Sequence, residues 1–143
     1  MPVRAAAGAL ILAAMTTGSL VGCGSDSPGP APAPSVFPIT LTRTGGVAGF
    51  HDKAVIASDG AVDLTTRQGR RQCTLDPTVL AAVSTAATAI TGTASTAPAH
   101  PDDLVVVVTT GRGSARIEDS ALANVSGELG RLLDPKQTGA VCR

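Results

Sequence analysis

Apolar and polar residues alternate from Phe37 onward: Phe37, Ile39 and Leu41 are separated by Pro38, Thr40 and Thr42. That is the period of a strand with one buried face, and Pro38 marks its start or an edge. Two further β-prone runs, FHDKAVIA (50–57) and AVDLTT (61–66), flank Ser58-Asp59-Gly60. An Asp-Gly between such runs signals a hairpin, because the turn needs residues that tolerate positive φ. These runs are predicted as strands two and three. Gly69-Arg70-Arg71 then breaks the pattern and delivers Cys73.

Asp76-Pro77 couples an N-cap acceptor to the residue best suited to the first helical position. Leu80, Val83, Ala87 and Ile90 recur at spacings of three, four and three, which sets them on one face of a helix over 77–90. Its Ala- and Thr-rich composition leaves that helix dependent on packing. Thr91 to Asp103 reads as a long, mobile surface loop. LVVVV (104–108) reads as the central strand, apolar on both faces and covered on each side or by a helix layer. TTGRG (109–113) turns the chain into a fifth strand, SARIE (114–118). Asp119 or Ser120 caps a second helix in which Leu122, Val125, Leu129 and Leu132 repeat the same spacing, and Asp134-Pro135 ends it. The order βββ-α-ββ-α predicts an α+β fold: a mainly antiparallel five-stranded sheet with two packed helices.

The N-terminal stretch has neither period. Arg4, an apolar run from Ala5 to Met15 and a cluster of small residues ending at Cys23 have the form of a secretory signal. The run falls short of the roughly 20 apolar residues a bilayer span needs. Leu20-Val21-Gly22-Cys23 matches a bacterial lipobox, so 1–22 is read as a lipoprotein signal peptide and Cys23 as the lipidated N-terminus of the mature chain. Residues 24–35, GSDSPGPAPAPS, favour polyproline II and serve as a semi-stiff spacer of about 3.1 Å per residue. The folded domain is then 36–143, with room for one domain. The expected location is the extracytoplasmic face of the cell membrane, held there by the lipid anchor.

Charge excludes more than it suggests. Lys and Arg number 11 against 11 Asp and Glu, so nothing electrostatic favours nucleic acid. Phe37 and Phe50 are the two aromatic residues, which removes the stacking platforms of single-strand or sugar sites. With Cys23 assigned to lipid, Cys73 and Cys142 remain as a pair in an oxidising compartment, and a disulfide is expected. Closing a loop of about 70 residues contributes about 4 kcal/mol in the chain-entropy model. A metal or reactive-thiol role would want His or Cys at ligand spacing, and neither cysteine has any.

His51 and His100 have no partner at a recognisable spacing, and the carboxylates fall in turns, caps and strand ends. No catalytic residue, metal site or cofactor is expected. The glycine-rich stretch RTGGVAGF, Arg43 to Phe50, joins two strands and lacks both the lysine and the helix start of a phosphate loop. Two readings of it stay open. Gly45, Gly46 and Gly49 serve a tight β-connection with Phe50 in the core, or the loop touches a partner.

The same RTGGVAG, followed by a strand, an Asp-Gly hairpin, a helix, the DLVVVV strand with its hairpin and a Leu-rich last helix, resembles emfourin. That family consists of small proteinaceous inhibitors of protealysin and other thermolysin-like zinc metallopeptidases. The similarity covers roughly 37–133. It implies that Arg43, Thr44, Gly45, Gly46, Val47, Ala48, Gly49 and Phe50 form or support a contact with a metallopeptidase. The export signal, lipid anchor and disulfide depart from family members that are plain cytoplasmic chains. The alternative is a non-inhibitory envelope lipoprotein that binds another envelope protein or a small lipid.

Overall fold

Strands form where the alternation lies and in one place where it does not. The computed structural model describes residues 33–143; the predicted signal peptide, Cys23 and linker residues 24–32 lie outside the described residues. β1 (Ile39–Gly45), β2 (Phe50–Ile56), β3 (Ala61–Thr66), β4 (Gly69–Thr74), β5 (Leu104–Thr110) and β6 (Gly113–Arg116) build one sheet in the order β4-β3-β2-β1-β5-β6. Every neighbouring pair is antiparallel.

Residues directly opposite each other share a face, so the register sorts the sheet. Ile39 and Leu41 lie opposite Ile56 and Ala54, which lie opposite Val62 and Leu64, and Leu41 also opposes Val108. All are buried. On this face pack α1 (Pro77–Thr88), a 3₁₀ turn (Ser120–Leu122) and α2 (Ser126–Leu132), which add Val83, Ala87, Leu122, Leu129 and Leu132 to a single core. Each valine, leucine or isoleucine so taken from water favours folding by about 1.5–3 kcal/mol. α1 starts as the sequence predicts: Thr78 N donates to the Asp76 carboxylate at 2.9 Å with Pro77 in the first turn.

Three expectations are corrected. The sheet has six strands, not five, because Gly69–Thr74 pairs with β3 over its whole length. Its sequence, GRRQCT, lacks alternation because an edge strand exposed on both sides has no apolar face to bury, and backbone pairing holds it instead. The second helix is not continuous. Asp119 caps the 3₁₀ turn by accepting from Ala121 N, and Val125, at φ −127° and ψ −2°, interrupts the run before α2 begins. The predicted apolar face survives the break, since Leu122, Val125, Leu129 and Leu132 are all buried.

The third correction concerns LVVVV. β5 lies between β1 and β6, one strand from the edge and not at the centre. Its far-face residues Val105 and Val107, opposite Thr44 and Thr42, are buried, and the cover is the 91–103 loop in place of a helix layer. Thr44 Oγ1 donates to Thr96 O at 2.7 Å, Ala94 N to Ser114 Oγ at 2.8 Å and Ser114 N to Gly92 O at 2.8 Å. Those bonds tie the loop across β1, β5 and β6. The polar segment therefore shields valines that would otherwise meet water.

On the open part of the far face Asp63 binds Arg70 across the β3–β4 pair. The guanidinium holds the Asp63 carboxyl below its ordinary range. The expected result of Arg70→Ala is an upward return of the Asp63 carboxyl titration, followed by NMR. Because a depressed carboxyl favours the folded state above its unfolded pKa, the unaltered chain should hold a small increment of stability at neutral pH that the variant lacks, and the two should converge as pH falls through the acidic range.

Candidate functional site

The β1–β2 hairpin closes through Gly46–Gly49, and its geometry separates the roles of the residues around it. Gly45 has φ 83° and Gly46 φ 71°, a region that costs other residues about 1–2 kcal/mol. A Cβ on Gly45 would meet Asp103 O at 2.1 Å. That carbonyl also accepts from Gly46 N at 2.9 Å, so the hairpin is stitched to the start of β5. Gly49, also at positive φ, has open space where a Cβ would sit. Gly45→Ala is expected to cost about 2–3 kcal/mol, combining the backbone penalty with displacement of Asp103. Gly49→Ala should cost about 1 kcal/mol, the backbone penalty alone. Thermal unfolding of both variants checks the order.

Behind the tip sits an inward-facing ion pair. Arg43 and Asp52 are directly opposite in the β1–β2 register and point to the core side. The Asp52 side chain is 1% exposed and that of Arg43 15%. Arg43 Nε donates to Asp52 Oδ2 at 2.8 Å, and Nη2 donates both to Asp52 Oδ2 and, at 2.8 Å, to Leu133 O just after α2. Asp52 Oδ1 accepts from Arg67 N at 3.2 Å in the β3–β4 turn. One carboxylate thus joins the two hairpins, and one guanidinium joins the sheet to the last helix. Phe50 has two cations over its ring, with the Arg43 Cζ 4.4 Å and the Arg67 Cζ 5.8 Å from the centroid, inside the range of cation–π attraction. A hollow of about 290 Å³ opens beside them, lined by Arg43, Phe50, Asp52, Arg67 and Pro135 among others.

The braced hairpin ends in an apolar knob. Val47 is 91% exposed and Leu104 is 51% exposed, and among the described residues they are the large hydrophobic side chains left in water. Leu104 lies near the tip: its side chain and that of Phe50 come within 3.4 and 3.5 Å of the Cβ position at Gly46, the residue before Val47. Of the eight residues from Arg43 to Phe50, Val47, Ala48 and Gly49 are exposed at the tip. Arg43 is turned inward, Thr44 is spent on the 91–103 loop, Gly45 and Gly46 make the close approach, and Phe50 is partly covered. The positions differ: Gly45 has no room for a side chain, Phe50 is half-buried and not in the core, and Val47, Ala48 and Gly49 lie exposed beyond them.

The sequence reading passed over Leu104, Asp52 and Arg67. Asp52 could have been found by counting outward from the turn, because a hairpin closing over Gly46–Gly49 places residue 43 opposite residue 52. Leu104 reads as part of the apolar run, whose first residue pairs with Gly45 at the end of the sheet and is left half exposed. The imidazoles are not brought together: His51 is exposed on the far face of β2, and His100 lies in the loop, where its backbone N–H donates to Asp103 Oδ2 at 3.0 Å. Among the described residues no group of three or more His, Cys, Asp or Glu side chains is placed to hold a metal ion. Cys73 and Cys142 form a disulfide with Cα atoms 5.7 Å apart. No family model, curated protein or solved structure matches the chain.

Proposed function

We propose that this chain is an exported, lipid-anchored lipoprotein whose α+β domain is a binding module, not an enzyme, and that the β1–β2 tip docks onto and inhibits a thermolysin-like zinc metallopeptidase. One observation carries the docking reading: the exposed Val47 stands on a hairpin locked by the Arg43–Asp52 pair, next in the chain to Gly46, which Leu104 approaches. A preformed loop binds with little ordering cost, so a small apolar contact yields usable affinity. The peptidase as partner rests on the resemblance of RTGGVAG to emfourin.

The polarity of the domain fits a tethered binder. Ser35 runs against Gly111 in the β5–β6 turn, at the end of the sheet where β1 begins, while the tip lies where β1 ends. Seven residues of β1 separate the two, about 23 Å at strand rise. Chain arriving from the anchor therefore enters at one pole and the knob sits at the other. A core filled by Ile39, Leu41, Ile56, Val108 and Leu132 between sheet and helices favours a protein partner over a carried lipid.

The test uses the mature chain with Cys23→Ser, incubated with a thermolysin-like peptidase. Peptidase activity should fall with increasing domain, and Val47→Asp should weaken inhibition by at least about tenfold, 1.4 kcal/mol, with its unfolding temperature unchanged. Unaltered peptidase rates at micromolar excess would remove the inhibitor reading. Retained inhibition by Val47→Asp would remove the tip as the contact.

A further inference from the structure

The outer edge of β4 is half occupied. Arg67-Gln68 is a two-residue turn closed by the pair Thr66 and Gly69. In such a hairpin the closing pair exchanges both backbone hydrogen bonds and every second residue repeats the pattern. Gly69, Arg71 and Cys73 therefore spend their N–H and C=O on β3, whereas Arg70, Gln72 and Thr74 direct theirs outward. Thr74 is satisfied by the C-terminal segment: its N donates to Arg143 O at 2.6 Å and its O accepts from Arg143 N at 2.9 Å. Leu75 and Cys142 continue that pairing in antiparallel sense, and the disulfide clamps it. The segment starts a seventh strand position and fills it beside Thr74. The outward backbone groups of Arg70 and Gln72, next in the row, have no protein partner among the described residues.

The side chains along this row are basic on both faces. Arg70 lies on the far face and is 68% exposed despite its bond to Asp63. Arg71 lies on the core side, past the cover of the helices, exposed and without an ion-pair partner among the described residues. With Gln72 they line an open hollow of about 390 Å³. Arg143 adds a third exposed guanidinium at the end of the row.

We infer that the free edge of β4 is a docking site for an extended acidic peptide segment, which adds antiparallel to β4 in line with the C-terminal segment. Strand addition draws affinity from main-chain hydrogen bonds and specificity from alternate side chains. Carboxylates at successive positions of the incoming strand reach Arg70 on one face and Arg71 on the other. A second copy of the chain is the poorer occupant, because pairing β4 with itself sets arginine against arginine, and like charges across strands repel. Arginines on an edge deter apolar strands; the same charges attract an acidic one. This site is separate from the tip and does not depend on the peptidase reading.

The experiment uses the 143-residue chain, ¹⁵N-labelled and held in neutral detergent micelles, with three probes: acetyl-Val-Thr-Glu-Glu-Thr-Val-amide, whose adjacent carboxylates point to opposite faces of a strand, its lysine-for-glutamate counterpart, and the acidic peptide N-methylated at alternate residues. The acidic peptide should slow amide exchange at Arg70 and Gln72 by at least about tenfold while leaving Arg71, already bonded to β3, unchanged. The lysine and N-methyl peptides should bind at least about tenfold more weakly, and Arg71→Ala should weaken the acidic peptide several-fold with no change in unfolding temperature. Unchanged exchange at Arg70 and Gln72 with saturating acidic peptide would overturn the proposal. So would equal binding of the lysine peptide, or concentration-dependent protection of the same amides without peptide, which would assign the edge to self-association.

Discussion

Arg43→Ala is expected to destabilise the domain by about 3–5 kcal/mol, the range for removing one side of a buried ion pair. The cost arises less from the lost attraction than from what stays behind. Asp52, 1% exposed, would retain the single donor Arg67 N at 3.2 Å, and Leu133 O would lose the guanidinium that meets it at 2.8 Å. Asp52→Asn should be milder, about 1–2 kcal/mol, because an amide oxygen still accepts from Arg67 N and the freed Arg43, 15% exposed, has some access to water. Arg43→Met combined with Asp52→Leu should recover most of the loss, since apolar side chains of similar volume replace such pairs at little cost. Urea unfolding reads the order directly: the midpoint should fall most for Arg43→Ala, with an unchanged slope. The same series decides what Arg43 is for. If its contribution lay in touching a partner, Arg43→Ala would leave the unfolding midpoint where it was; as a brace, it moves the midpoint and loosens the tip through the hairpin.

The elements that could be read ahead of the structure are those whose residues face one apolar layer. β1, β2 and β3 show period two because only one of their faces meets the helices, and α1 shows period 3.6 for the same reason. β4 had no such signature, because Arg70, Arg71 and Gln72 face water on both sides and the strand is defined by hydrogen bonds that every residue type can make. The break in the second helix was equally hidden. Leu122, Val125, Leu129 and Leu132 remain on one side whether the backbone passes through a 3₁₀ turn or a continuous helix, so the buried face was legible and the break was not. The cover over Val105 and Val107 was misassigned because the 91–103 loop is polar in composition, yet it covers the valines while bonding through backbone groups that composition does not report.

The candidate site shows the same division. The glycines of RTGGVAGF announced positive φ, which Gly45, Gly46 and Gly49 all adopt. What they could not announce was that Gly45 is needed for the carbonyl of Asp103, 58 positions along the chain, or that Leu104 would arrive beside Gly46. Contacts between residues far apart in sequence leave no local pattern, and both approaches to the hairpin, Asp103 to Gly45 and Leu104 to Gly46, are of that kind. The cysteine pair is the exception, legible at long range because two cysteines with no other partner can satisfy one another by a single covalent bond wherever the fold brings them together.

Removing that pair, as Cys73→Ala with Cys142→Ala, is the second large expected effect: about 4 kcal/mol for a sequence separation of 69 in the chain-entropy model. Since that term acts on the unfolded ensemble, it should appear as a lower unfolding temperature, by roughly 15–25 °C for a domain of this size, and a thiol reductant should reproduce the shift in the unaltered chain. A purely local role predicts something else: faster amide exchange at Thr74 and Asp76, whose N–H groups donate to Arg143 O and Val141 O, with the unfolding temperature unmoved. The bond also has a consequence at the sheet edge. It clamps the C-terminal segment against Thr74, so its loss adds the outward N–H and C=O of Thr74 to those of Arg70 and Gln72 and lengthens the open row from two residues to three. A longer free edge recruits strands more readily. The cysteine-free variant should therefore bind the acidic hexapeptide more tightly than the disulfide form at temperatures where both are folded, and weaker binding would mean that the clamped segment itself contributes to the docking site.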